Sequence, residues 1–114
     1  MSMGKSPGLR MTLATQLVLR AMLAEPTREM YGLQVCREAG LPSGTAHPIL
    51  ARLERLGWAE SRWEDTDPQE EGRPRRRYYR LTEDGAERAR IALAQATTTG
   101  AALHLRARTA GGTP

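Results

Sequence analysis

The chain has 114 residues, of which 39% are hydrophobic and 26% charged, with a net charge of +4. That length suits a single domain with one modest core, and the positive balance favours a polyanionic partner only weakly. One cysteine, Cys36, excludes an internal disulfide, and with only His47 and His104 beside it no metal-ligand spacing exists.

Residues 1–10 are polar, with Gly4, Pro7 and Gly8, and read as a flexible arm. Thr12 can cap a helix that runs to about Ala24, apolar round most of its circumference and broken only by Thr15, Gln16 and Arg20. The stretch Leu17–Leu23 within it carries Arg20 and no cleavage site follows. No run approaches the ~20 apolar residues that span a bilayer, so neither a signal peptide nor a membrane contact is expected, and the expected location is cytoplasmic. Pro26 stops this helix, and Thr27 is the expected cap of a short second one, Tyr31–Ala39, ended by Gly40; Cys36 reads as a small buried residue on it.

A third helix is expected from Ser43-Gly44-Thr45 to Leu56, with Ile49, Leu50, Leu53 and Leu56 in one apolar stripe. Its opposite face carries Thr45, His47, Arg52 and Arg55. The period then changes. Trp58–Glu64 reads as a strand, Asp65–Arg76 as a loop holding Pro68, Gly72 and Pro74, and Arg77–Leu81 as a second strand, on which Tyr78 and Tyr79 point to opposite sides. Trp58 and Trp63 read as core or dimer-interface packing. Thr82-Glu83-Asp84-Gly85 starts a further helix, with acids in its first turn, that runs through Ala96. Thr97–Gly100 weakens it, Ala101–Leu105 can resume it, and residues 106–114 read as a disordered tail. The expected division is an arm over 1–10, a winged helix domain over 11–81, a dimerisation helix over 82–105 and a tail over 106–114.

Charge is segregated along the chain. The basic set is sixteen Arg and one Lys; five of the arginines fall between Arg73 and Arg80, directly after five acids between Glu64 and Glu71. Three helices, a two-stranded wing with a basic loop and a C-terminal helix make a mainly α fold with a small β-hairpin, the winged helix-turn-helix. A helix fits the DNA major groove, and an arginine-rich hairpin loop can reach flanking phosphates or the minor groove.

The run from Gly72 to Gly85, with its basic Gly-Pro loop, Tyr78-Tyr79 strand and Leu81-Thr82-x-x-Gly85, resembles the wing signature of PadR-type transcriptional regulators. Tyr31-Gly32-Leu33 resembles the start of that family's second helix, and Ser43 to Trp58 its recognition helix. The resemblance covers about Leu13–Ala96, and the single helix after the wing is that of the short subfamily. It implies a sequence-specific DNA-binding regulator of transcription, a dimeric repressor, in which the C-terminal helix packs against the partner and the first helix supports it. Duplex DNA and a second copy are then the partners, and a small-molecule effector stays open and unidentified. No cofactor is expected.

The DNA-contact candidates are Ser43, Gly44, Thr45, His47 and Arg52 on the recognition helix and Arg73, Arg75, Arg76 and Arg77 on the wing, with Tyr31 a candidate phosphate donor. Each has a plainer role. Ser43 and Thr45 can be helix caps, Arg52 and Arg55 surface charge, Tyr31 a core residue, and the wing arginines partners of the neighbouring acids, which can fold over the wing as a decoy when DNA is absent. Alternative functions are a phage or plasmid accessory or architectural DNA binder, and a winged helix used for protein–protein contact. An enzyme is the least supported class: there is no Gly-rich phosphate loop, metal cluster or Ser/His/Asp set.

Overall fold

The computed structural model describes the backbone over residues 9–111 and the side chains of residues 9–97. Its elements are α1 (Leu13–Leu23), β1 (Met30–Tyr31), α2 (Gly32–Ala39), α3 (Ser43–Arg55), β2 (Ala59–Trp63), α4 (Pro68–Glu71), β3 (Arg77–Leu81) and α5 (Glu83–Gly111). Residues 1–8 of the arm and 112–114 of the tail lie outside the described residues.

Thr12 begins α1 as its sequence predicts, its Oγ accepting the Thr15 N–H at 3.1 Å. Val18, Leu19 and Met22 are buried, whereas Leu13 remains 71% exposed, so α1 has apolar side chains both in the core and outside it. Left-handed glycines close α2 and α3. Gly40 has φ +72°, and the next N–H, of Leu41, donates to the Cys36 carbonyl at 2.9 Å; Gly57 has φ +79°, and the Trp58 N–H donates to the Leu53 carbonyl at 2.9 Å. On α3 the residues Ala46, Ile49, Leu50 and Leu53 are buried against α1, α2 and β2. Pro48 is its sixth residue, not part of its first turn, so the Gly44 carbonyl loses its helical partner.

The structure corrects the expected start of the second helix. Thr27 does not cap it. Met30 and Tyr31 are extended and pair with Tyr79 and Tyr78, and Tyr31 is the N-cap of α2 without a side-chain bond. The two-stranded wing is therefore a three-stranded antiparallel sheet in the order β1-β3-β2. Two residues are too few to show an alternation, and they become a strand only because β3 offers a free edge beside them.

β2 and β3 pair from Ala59↔Leu81 to Trp63↔Arg77. Ala59, Tyr79 and Leu81 are buried and Glu60, Arg62 and Arg80 exposed, and Tyr78 and Tyr79 split as the alternation predicts. The segment between the strands is not all loop. Glu70 and Glu71 lie in the one-turn helix α4, started by Asp67, whose carboxylate accepts the Gln69 N–H at 2.9 Å, and ended by Gly72 at φ +70°.

Thr82 caps α5, its hydroxyl accepting the Gly85 N–H at 2.8 Å, with Glu83 and Asp84 in the first turn. The helical backbone then continues through Thr97–Gly100 and past Leu105 to Gly111, across the segment that composition assigns to a weak point and a loose tail. Threonine costs a helix only ~0.7 kcal/mol or less per residue, and the alanines on either side of the run favour continuation.

Gly85 lies so close to the Trp58 carbonyl that a Cβ has no room, and that carbonyl also accepts the Thr82 N–H at 2.9 Å. Gly85→Ala is expected to lower the unfolding free energy by about 1–3 kcal/mol through overpacking, read by urea denaturation. Gly44→Ala, with open space around it, should leave stability unchanged or slightly raised.

Candidate nucleic-acid interface

The burial of one side of α3 fixes what its other side presents. Ser43, Gly44, Thr45, His47 and Arg52 are all exposed, and no acid occurs from Ser43 to Arg52. Pro42 is the N-cap of α3, with no side-chain bond, so Ser43 and Thr45 stand at the first and third helical positions and are not caps. Their hydroxyls are left for an outside acceptor. The Ser43 carbonyl accepts from His47 Nδ1 at 3.0 Å, which requires the proton on Nδ1. The ring's Nε2 then faces Gly32 at the start of α2, where a Cβ would come within 2.6 Å of it. Gly32 is what lets α2 and His47 approach.

The four wing arginines fall into two kinds. Arg73 is bidentate to the Glu64 carboxylate at 2.7 and 3.1 Å, with Glu71 at 3.7 Å. Arg77 reaches the Glu54 carboxylate on α3 at 3.3 Å and donates to Ser61 Oγ at 3.0 Å, and its guanidinium lies 5.2 Å from the Trp63 ring centre. These two are largely neutralised from within. By contrast, Arg75 donates only to the Thr66 carbonyl, at 2.8 Å. Arg76 stacks 4.2 Å over the ring of Tyr31, which itself packs edge-on against Tyr78 at 6.0 Å. Arg75 and Arg76 thus keep their charge unpaired, and Tyr31, half-buried, carries Arg76 on its face.

Glu64 organises the turn of the wing. Its side chain is 12% exposed. Besides Arg73 it accepts the Arg76 N–H at 3.2 Å, and its own N–H donates to the Arg76 carbonyl at 2.7 Å. The Arg73 guanidinium first, and then the Arg76 N–H, hold the carboxyl well below its ordinary 4.5, at about 2, against the opposing effect of burial. A sequence reading of the acids as mobile decoys or as plain solvated charge does not single out this residue. It also passes over Glu54, whose carboxylate accepts from Ser61 Oγ at 2.6 Å and so joins α3 to the sheet. Neither has a periodic signal, because each is defined by partners seven or more residues away. Trp63, read from sequence as packing, is 56% exposed. Among the described residues no group of His, Cys, Asp and Glu could hold a metal ion, and no helix is long and apolar enough to cross a membrane.

Residues 21–91, from the last turn of α1 to the third turn of α5, match the family model described as transcriptional regulator PadR-like. The chain belongs to the PadR-like family. Solved structures of similar fold include a PadR family transcription regulator from hypervirulent Clostridium difficile R20291, 20% identical with a TM-score of 0.63, the match covering 82% of this chain and 97% of that one. A Streptococcus mutans UA159 protein is 20% identical with a TM-score of 0.60, over 93% of this chain and 98% of that one. A PadR-like transcription factor from Bacteroides fragilis is 23% identical with a TM-score of 0.58, over 80% and 89%. A comparison with curated proteins gave no match. The PadR-like membership makes this a chain of the winged helix class, with β2–β3 as the wing.

Because the Glu64 carboxyl titrates lower in the fold than in an unfolded chain, its ion pair stabilises above about pH 4.5, and that contribution fades as pH falls toward 2. Glu64→Gln is therefore expected to melt below the parent at neutral pH, with the gap in Tm closing between pH 4.5 and pH 2. A gap independent of pH would assign the loss to packing instead.

Proposed function

We propose that this PadR-like regulator binds duplex DNA sequence-specifically as a dimeric repressor in the cytoplasm, with α3 in the major groove and the wing on the flanking backbone. One observation carries the reading: the outward face of α3 is free of acids over Ser43–Arg52 and lies beside a wing whose Arg75 and Arg76 meet no carboxylate. An acid-free helix face with hydroxyls and a guanidinium can donate to base edges and phosphates alike. Arg52, on the helix, is the candidate for base contact. Ser43, Thr45 and the backbone at Gly44 suit phosphate, as helix N-terminal groups do. Arg75 and Arg76 suit flanking phosphates, whereas Arg73 and Arg77 hold the wing in shape.

Residues 11–81 then form the DNA-binding unit and α5 the dimerisation element. Leu13 on α1 and Ile91 on α5, 71% and 52% exposed, support a partner for these two packed helices. A dimer would set two copies of α3 about one helical turn apart, ~34 Å, on a palindromic site.

The test is fluorescence anisotropy with the chain's own upstream DNA and with a random pool across a salt series. Tight, salt-sensitive binding to the upstream duplex and weak binding to the pool is the expected result; equal weak binding to both would favour an architectural role. Arg75→Glu with Arg76→Glu should lower the salt slope by about 1.8, two phosphates at about 0.9 each, with the circular dichroism unchanged; wild-type binding by that variant would remove the wing from the interface. Ile91→Asp is expected to shift the protein from dimer to monomer in sedimentation velocity.

A further inference from the structure

A groove of about 570 Å³ runs between α2, α3 and the wing. Its cationic lining is Arg37 from α2 and Arg73, Arg76 and Arg77 from the wing, with His47 of α3 beside them, and no Asp or Glu lines it. Arg73 and Arg77 are offset by Glu64 and Glu54, which approach them from outside the groove. The uncompensated charges are Arg76 and Arg37, the latter exposed and in none of the ion pairs among the described residues. The remaining wall is apolar and open to solvent: Leu33 is 50% and Trp63 56% exposed, beside Pro74 and Tyr31. Trp63 reaches this position by register. It shares the helix-facing side of β2 with Ala59 and Ser61, but it lies beyond the end of the core, so its indole meets the groove instead of packed side chains.

We infer that this groove seats the sugar–phosphate backbone of one DNA strand, and that Arg37 and Trp63, which belong to neither the recognition helix nor the wing loop, contact it there. The inference rests on the DNA-binding reading above and extends it. If α3 occupies the major groove and the wing lies beyond its edge, the strand that separates the two must pass between them, where the groove is. The chemistry of the lining fits that occupant. Uncompensated cations face phosphates, and apolar walls with a ring face suit the deoxyribose between them. The indole N–H adds one donor for a phosphate oxygen. A free small anion would use the cations but leave Trp63 and Leu33 wet.

Backbone contacts do not depend on sequence, so a fluorescein-labelled duplex of mixed sequence at low salt is a sufficient probe. Arg37→Ala is expected to reduce the salt slope by about 0.9, the share of one phosphate. In the unmodified protein, the same duplex should shield the acrylamide-accessible part of the tryptophan emission. Trp63 supplies most of that part, since it is exposed whereas Trp58 is half-buried against the core. Trp63→Ala should remove the shielded component and weaken binding without changing the far-ultraviolet circular dichroism. The groove assignment fails if either the slope of Arg37→Ala or the quenching stays at its unmodified value while the unmodified protein binds the duplex, because DNA would then lie elsewhere on the surface. Absence of binding by the unmodified protein at low salt would instead overturn the DNA reading itself, and the groove assignment with it.

Discussion

The rotational setting of α3 is the constraint on which the rest depends. Ala46, Ile49, Leu50 and Leu53 sink into the core, and Leu50 and Leu53 have no exposed surface. Burying two leucines is worth about 1.5–3 kcal/mol each. Turning the helix by even one residue would bring polar groups inward and leave those leucines wet. The same burial therefore decides that Ser43, Thr45, His47 and Arg52 face out together. The turn that ends α3 at Gly57 is anchored in the same way. The Thr82 hydroxyl donates to the Gly57 carbonyl at 2.9 Å, and Gly85 closes against Trp58, so the helix, the sheet and the start of α5 meet at one junction.

Away from the core, charge takes over the positioning. The half-exposed Arg77–Glu54 pair contributes little to stability and acts mainly through geometry, whereas Glu64, with its side chain 12% exposed, contributes to both. Glu64 draws Arg73 and the Arg76 backbone into one turn, and Glu54 ties Arg77 to α3. The effect is a division among neighbouring arginines of like sequence character. Those held by carboxylates shape the loop, and those left without one carry its field. A phosphate backbone entering beside them would meet a wing already set in place, which limits the ordering entropy that binding has to overcome.

Much of this was legible in the residues. The caps at Thr12 and Thr82, the glycine stops at Gly40 and Gly57, the stripe on α3 and the strand Arg77–Leu81 are local signals, each read over a few neighbouring residues. The order of the elements and the wing motif led to the PadR-like family. β1 was not legible, because a two-residue strand exists only through its pairing with β3. The one-turn helix α4 and the full length of α5 were not legible either, because Asp67 and Gly72 act as caps only once the turn has formed, and the alanines on either side carry the helix across the threonine run.

The sequence by itself determined the class of fold, the face of α3 that is polar and the concentration of arginines in the wing, because helical period, capping chemistry and charge runs are properties of neighbours along the chain. Only the tertiary structure decided which arginines keep a free charge, that Trp63 stands open beside Arg37 instead of in the core, and that Glu54 and Glu64 hold the wing. These depend on contacts between residues far apart in the chain, such as Arg77 with Glu54 and Tyr31 with Arg76, and such contacts exist only after the hydrophobic stripe of α3 has fixed where each element lies.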